Sequence, residues 1–154
     1  MKASVADDKT STHLRHSIKQ FNSIMAYHFK GVPKEVATKN FGFAPILAYR
    51  EGQGWVGATN LFKAGKMNCQ FNENNIKLSM AAMKIDENEM GYEVNKKFTE
   101  TTISGNEDSG YMYSVDWYDN NFFRHLECAD MVYSEDTMKQ IISMACKIDS
   151  YQDR

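Results

Sequence analysis

Two runs of alternating apolar and polar residues lie close together near the C-terminus. The first is Tyr111 to Tyr118 and the second is Phe122 to Cys128, and the residues between them favour tight turns. If Asp119-Asn120 forms a two-residue turn, Trp117 lies opposite Phe122 and one face becomes almost wholly apolar. A one-residue change of register would mix the two faces. The pattern and the turn chemistry therefore agree on a β-hairpin.

The charged residues of this hairpin fall mostly outside its apolar face. The exception is Arg124, which the two-residue turn places opposite Val115 on the apolar side. Carboxylates held close together can serve acid–base catalysis, but carboxylates at strand ends and turns are common surface groups. We interpret the acidic residues around the hairpin as surface charges: Asp116, Asp119, Glu127 and Asp130.

Two of the three cysteines are expected to meet in the core. Cys69 alternates with Met67 and Phe71, and Cys128 lies on the apolar face of the hairpin, so both point into an apolar layer. A disulfide that closes this loop would stabilise the fold by about 4 kcal/mol in the chain-entropy model. Two reduced buried thiols are the alternative. Cys146 falls away from the apolar stripe of its helix, so we do not assign it to the disulfide.

Two longer stretches repeat apolar residues every three or four positions, as the buried stripe of an amphipathic helix does. The N-terminal stretch runs from Thr12 to Phe29, and Gly31 and Pro33 are suited to end it. The C-terminal stretch begins at Ser134, a favourable N-cap residue, and has acidic residues in its first turn. Its stripe consists of Met138, Ile141, Ile142, Ala145 and Ile148.

Short runs that favour strands fill the middle of the chain. They are Ile46 to Arg50, Trp55 to Asn60, Lys66 to Phe71 and Gly91 to Ile103, with Phe41 to Pro45 expected to be a loop. The run Ile76 to Ile85 alternates like a strand, although its composition also suits a helix.

Because short turns join antiparallel strands, these elements predict an α+β fold. We expect a mainly antiparallel β-sheet meander flanked by an N-terminal and a C-terminal amphipathic helix. Residues 1–10 are expected to form a flexible tail and residues 11–154 a single domain.

Charge and hydropathy exclude some classes of partner. The net charge is −2 and the 18 basic residues are scattered, whereas nucleic-acid binding needs a basic stripe. No stretch is apolar enough for a membrane span. Ser4-Val5-Ala6 followed by Asp7-Asp8 is typical of the end of a signal peptide, although a disordered tail also explains it. With the disulfide, this favours a periplasmic or secreted protein, the alternative being a cytoplasmic one.

The motifs do not support catalysis, a metal or a cofactor. Gly52 to Gly57 spells G-x-G-x-x-G, but the next segment, Ala58 to Gly65, is too short for the helix of a dinucleotide site, so we interpret the motif as a hairpin turn. His13 and His16 would need a third metal ligand that the sequence does not supply. His28 falls on the N-terminal stripe and is expected to be a packed histidine rather than a catalytic base.

Aromatic residues near loops are the remaining functional signal, because exposed aromatic side chains are common in interfaces. We expect a non-enzymatic interaction or inhibitor-like protein that binds a protein partner through a loop or hairpin surface. The candidate partner-binding residues are Phe41, Phe43, Trp55, Tyr118 and Phe123.

Two alternatives to this function stay open. One is a small-molecule carrier, or a small hydrolase using His28, with a cavity between sheet and helices lined by Met80, Met83, Tyr113 and Trp117. A closed, packed core without a cavity would argue against it. The other is a cytoplasmic chaperone-like dimer, in which all three cysteines would be free thiols.

Overall fold

The computed structural model describes residues 5–80 and 92–154, in which six strands form one antiparallel sheet of order β1-β2-β3-β6-β5-β4. The strands are β1 (Lys39–Arg50), β2 (Gly54–Ala64), β3 (Met67–Asn75), β4 (Phe98–Asn106), β5 (Gly110–Tyr118) and β6 (Phe122–Asp130). The helices are α1 (Val5–Thr10), α2 (Ile18–Asn22), α3 (Ile76–Ser79) and α4 (Glu135–Gln152). The predicted α+β fold with a sheet meander is confirmed.

The predicted hairpin is formed by β5 and β6, in a register that differs by two residues from the expected one. Trp117 lies opposite Arg124, and Tyr118 lies opposite Phe123. The turn is displaced by one residue along the chain, since the Asp119 amide donates to the Phe122 carbonyl at 3.1 Å and leaves Asn120 and Asn121 between the two bonded residues. A shift of two residues keeps each side chain on its predicted face, so the burial pattern still holds.

The predicted disulfide is confirmed. Cys69 on β3 lies directly opposite Cys128 on β6, and their sulfur atoms are at bonding distance. Both cysteines are buried, whereas Cys146 is a partly exposed free thiol.

The C-terminal helix α4 begins where the sequence predicted. The side chain of Ser134 accepts a hydrogen bond from the Asp136 amide at 3.2 Å and so caps the helix. Met138, Ile141, Ala145 and Ile148 are buried as expected, and the helix packs on β5 and β6.

The N-terminal helix is much shorter than its apolar pattern indicates. Only Ile18–Asn22 is helical within the stretch from Thr12 to Phe29. The Asn22 side chain bonds both the amide and the carbonyl of Phe29, at 2.8 Å each, and turns the chain back after the helix. Further main-chain bonds tie Ile24 and Ala26 to Trp55 on β2. The apolar residues are therefore buried one by one against the sheet, and His28 is exposed.

Three further element boundaries differ from the expected ones. Residues Phe41 to Pro45 belong to β1, because an edge strand tolerates proline. Ile76–Ser79 is a helix that is capped by the Asn75 side chain and ends at Met80, while residues 81–85 lie outside the described residues. In the run from Gly91, which itself is not described, the strand begins only at Phe98, after a turn in which Asn95 and Lys96 have positive φ angles.

The N-terminal residues that the structure describes contact the sheet. Val5–Thr10 forms α1, in a segment for which the sequence predicted a flexible tail. The indole of Trp55 donates to the Lys9 carbonyl at 2.7 Å, and the guanidinium of Arg15 donates to Ser11 and His13 carbonyls at 3.2 Å. The Trp55 bond joins the start of the described chain to β2, and the Arg15 bonds hold the backbone of the N-terminal segment itself.

The glycine-rich turn serves packing. Gly54 has a φ of +111°, and a Cβ there would lie 2.6 Å from the Ile24 carbonyl oxygen. Only glycine allows the N-terminal segment to approach β2 this closely. The interpretation of G-x-G-x-x-G as a hairpin turn agrees with the pairing of Arg50 with Gly54.

Candidate functional site

Alternate residues of each strand face opposite sides of the sheet. The inner face holds the core, in which the rings of Phe29, Phe71 and Trp117 follow one another at centroid distances of 6.0 and 6.1 Å. The opposite side, which we call the outer face, carries polar and partly exposed side chains on β3, β5 and β6. Accessible chemistry therefore lies mainly on the outer face.

Two adjoining pockets open on the outer face and share Asn68, Met112 and Ala129. The larger one has a volume of about 550 Å³ and the smaller one about 320 Å³. We call the two together the outer groove. Its apolar lining comes from Phe41, Leu61, Met112, Ala129, Met131 and Val132, and its polar lining includes Lys66, Gln70, Glu127 and Asp130. Both volumes lie in the range of ligand-binding pockets.

The loop after β6 gives the outer groove an exposed apolar rim. Met131, Val132 and Tyr133 are 60%, 56% and 57% exposed, which is unusual for three consecutive apolar side chains. The buried Tyr113 hydroxyl holds this loop from below, since it donates to the Val132 carbonyl at 2.5 Å and accepts from the Ser134 amide at 2.8 Å. The loop therefore presents its apolar side chains from an anchored backbone.

His125 is the main titratable group of the outer face. Its Nδ1 contacts Asp116 on β5, and its Nε2 lies 3.2 Å from Glu127. The hydrogen bond to Asp116 is the largest influence and raises the pKa of His125, against the opposing effect of partial burial. The imidazolium form is thus stabilised between two carboxylates.

We expect the stability of the protein to depend on His125 as the pH rises. Because the folded-state pKa lies above the ordinary value of 6.5, the stabilisation is complete below that pH and is lost as the pH rises through the folded-state pKa. The difference in unfolding free energy between wild type and His125→Gln should be larger at about pH 5.5 than at about pH 8.5 in urea titrations.

The exposed His28 provides a matched control for this experiment, and its variant His28→Gln should follow the wild type at both pH values. A wild-type advantage over His125→Gln that is unchanged or grows toward alkaline pH would contradict the assignment. An NMR titration of the His125 ring reports the same pKa directly.

A second polar cluster lies on the inner face, enclosed between β3, β6 and α4. Arg124 donates to Glu73 at 2.8 Å and to Asp149 at 2.6 Å, and all three side chains are almost fully buried. Asp149 also accepts from the indole of Trp117 at 2.8 Å and from Lys97 at 2.9 Å. The cluster therefore connects the end of α4 to the sheet.

Burial and hydrogen bonding shift the pKa values of the carboxylates of this cluster in opposite directions. Burial raises the pKa of Glu73, although Arg124 opposes the shift. Burial also acts to raise the pKa of Asp149, but hydrogen bonds from Asn95, Lys97, Trp117 and Arg124 outweigh it and lower that pKa. The enclosed position and the saturated hydrogen bonding of Asp149 indicate a structural role.

The candidate partner-binding residues are divided between the two faces. Phe41 lines the outer groove. Tyr118 and Phe123 lie on the outer face at the other end of the strands, in a stack with Phe98, and Tyr118 is only 6% exposed. Phe43 and Trp55 are buried in the core, so a partner could not contact them without a rearrangement. The structure thus brings only Phe41 to the groove.

The residues proposed for an internal cavity do not share one. Tyr113 and Trp117 are buried in the packed core, whereas Met80 is 78% exposed and Met83 lies outside the described residues.

The acidic residues near the hairpin do not form one cluster. Asp116 and Glu127 flank His125, Asp119 accepts main-chain bonds in the turn, and Asp130 lies 3.7 Å from Lys66.

Comparisons with known site types and known proteins give no match. In residues 5–80 and 92–154, no group of three or more His, Cys, Asp or Glu side chains is placed to hold a metal ion. Within those same residues, no helix has the length and apolar character needed to cross a membrane. No protein-family model, curated protein or solved structure matches this chain.

The sequence reasoning missed most of the groove and two members of the buried cluster. A signal for the cluster was present, since Glu73, Arg124 and Asp149 each occupy an apolar-face position of their element. Charges at such positions require partners. No comparable signal marked Met112 or Met131, because the groove depends on how separate loops meet.

Proposed function

We propose that this is an exported, non-enzymatic binding protein that holds an apolar segment of a protein partner in the outer groove. The observation that carries the proposal is the anchored, exposed apolar loop Met131 to Tyr133 beside a pocket of about 550 Å³. Exposed apolar surface of this kind is a common mark of a protein interaction site.

The composition of the outer groove suits a peptide with apolar side chains. Met112 and Met131 have flexible, polarisable side chains that adapt to the shape of a ligand. Phe41 adds an aromatic contact at the far end of the groove, and Lys66 with Asp130 offers charged groups at its margin. Polar groups at a rim fix the orientation of a ligand while the apolar contacts supply affinity.

The buried disulfide supports the exported part of the proposal. A pair such as Cys69 and Cys128 at bonding distance is compatible with an oxidising compartment, where disulfides form and persist. The test is a thiol count on protein isolated under denaturing, alkylating conditions, in which one free thiol, Cys146, agrees with export and three contradict it.

The binding role is tested with a displayed random-peptide library panned against the folded protein. We expect enriched peptides rich in apolar residues, whose affinity falls at least about tenfold in the double variant Met112→Ser/Met131→Ser, because the groove loses its adaptable apolar contacts. Fluorescence anisotropy with the synthesised peptides measures the change in Kd.

The matched control is Met80→Ser, which removes an exposed methionine outside the groove. It should leave the peptide affinity unchanged. The proposal would be overturned by a panning that enriches no peptide over a library without the target, or by peptides whose affinity is the same for the groove variant and the wild type.

A further inference from the structure

The sheet has two edge strands, β1 and β4, and they differ in how their outward backbone groups are covered. An uncovered edge presents unpaired N–H and C=O groups to any other strand. Proteins protect such edges with proline, bulges, charged side chains or a covering segment. The comparison of β1 with β4 therefore shows where another chain can add.

The β1 edge is protected in three ways. Arg15 pairs with Phe43 on the edge of β1 that points away from β2, through two main-chain hydrogen bonds of 2.7 Å. The strand contains Pro45, and its pairing with β2 is interrupted by register shifts near Gly42 and between Ile46 and Tyr49. A further strand could not extend regularly along this edge.

In the part of the chain that the structure describes, the β4 edge has no covering strand, no proline and no register shift. Its nine residues pair with β5 in an unbroken register from Phe98 to Asn106. Within residues 5–80 and 92–154, no strand pairs with its other side. The strand contains no proline and no lysine, and Glu100 is its single charged residue. This is a long, regular edge that is suited to strand addition.

We propose that the occupant of this edge is a second copy of the chain, with the two β4 strands antiparallel around a two-fold axis at Thr102. In that register Glu100 lies opposite Ser104 of the second copy, and Thr101 lies opposite Ile103. The single charge of the strand therefore meets a hydroxyl group rather than its own copy. Threonine pairs and threonine opposite a β-branched residue are favourable cross-strand neighbours.

The same geometry explains why the assembly would stop at two copies. The pairing uses the same surface on both chains, so it closes, and the protected β1 edges at the ends leave no site for growth. The two-fold axis is perpendicular to the sheet, so both outer faces point to the same side. Because Ser104 and Gly105 line the outer groove, the two grooves of the dimer lie near the shared edge.

Sedimentation equilibrium of the full chain from micromolar to millimolar concentration tests the proposal. We expect wild type to dimerise, and Thr102→Lys and Thr102→Glu each to weaken the dimer at least about tenfold, because like charges face each other at the axis. An equimolar mixture of the two variants should restore dimerisation. Thr102 is exposed on the outer face, so both variants are expected to fold, and circular dichroism checks this for each of them.

A second pair of variants tests the register at a position away from the two-fold axis. Ser104→Lys places a cation opposite Glu100 of the second copy and should tighten the dimer, whereas Ser104→Glu should weaken it. Lys39→Glu, a charge change on β1, is the control and should have no effect. A monomeric wild type throughout the concentration range, or variants at Thr102 and Ser104 that dimerise like wild type, would overturn the proposal.

Discussion

The variant Arg124→Ala is expected to lose about 3–5 kcal/mol of unfolding free energy, the usual loss when one member of a buried ion pair is removed. Arg124 is 1% exposed and is the common partner of Glu73 and Asp149, which are 2% and 1% exposed. Without the guanidinium, both carboxylates must stay buried with less compensation, protonate, or draw in water. Each of these outcomes lowers the stability of the folded state.

Urea unfolding followed by far-UV circular dichroism measures this loss. Lys147→Ala is the matched control, since Lys147 is an exposed cation on α4, and it should change the unfolding free energy by less than about 0.5 kcal/mol. If Arg124→Ala loses less than about 1 kcal/mol of unfolding free energy, water solvates the two carboxylates in place of the guanidinium, which contradicts the expectation.

A further variant separates the charge of the cluster from its packing. Replacing Glu73, Arg124 and Asp149 together by apolar residues of similar size removes the charges along with their desolvation cost, and such replacements are often neutral. If the triple variant is more stable than Arg124→Ala, the cost lies in the unpaired carboxylates rather than in the missing arginine side chain.

Faces of strands were more predictable than pairings, because alternation alone decides the face. Tyr113, Val115 and Trp117 are buried as the alternation indicated. The partner of Trp117 depends on the turn, and here the Asp119 carboxylate accepts bonds from the Asn121 and Phe122 amides, which favours a turn through Asn120 and Asn121. Because an offset of two residues leaves Cys128 on the predicted face of the sheet, the disulfide prediction was correct although the predicted register was wrong.

The two helical patterns had opposite outcomes for a physical reason. The pattern of α4 is supported by the Ser134 cap, by acidic residues in its first turn and by a continuous inner face to pack on. The N-terminal pattern instead meets a side chain, Asn22, that competes for the backbone, and a strand, β2, that offers main-chain partners. Tertiary hydrogen bonds of this kind cannot be read from local periodicity.

The outer groove could not be predicted, since its lining comes from residues distant in the sequence. Phe41 was singled out as an aromatic residue near a loop, yet it lies in β1 and reaches the groove because the register shift near Gly42 places it there. Met131 and Val132 are ordinary apolar residues in sequence. Their significance comes from the Tyr113 hydroxyl, which fixes the loop and keeps them exposed.

Removal of the disulfide is the second large expected effect. The bond joins residues 59 apart in sequence, and opening a loop of this length raises the entropy of the unfolded chain by an amount worth about 4 kcal/mol. The folded sheet itself should change little, because β3 and β6 stay paired by regular main-chain hydrogen bonds from Asn68 to Asn75. The loss therefore concerns mainly the unfolded state.

The variant Cys69→Ala/Cys128→Ala measures this loss by urea unfolding, with the wild type in reductant as an independent route to the same state. The control Cys146→Ser removes the free thiol. Its unfolding free energy should equal that of wild type, and reductant should lower that free energy by the same amount in both proteins. A double variant within about 1 kcal/mol of wild type would mean that the unfolded chain keeps β3 and β6 together without the bond. Glu73 and Arg124 lie on the same two strands, β3 and β6. The double cysteine variant combined with Arg124→Ala would then show whether the buried ion pair holds these strands together. If it does, the loss of unfolding free energy is larger than the sum of the separate losses.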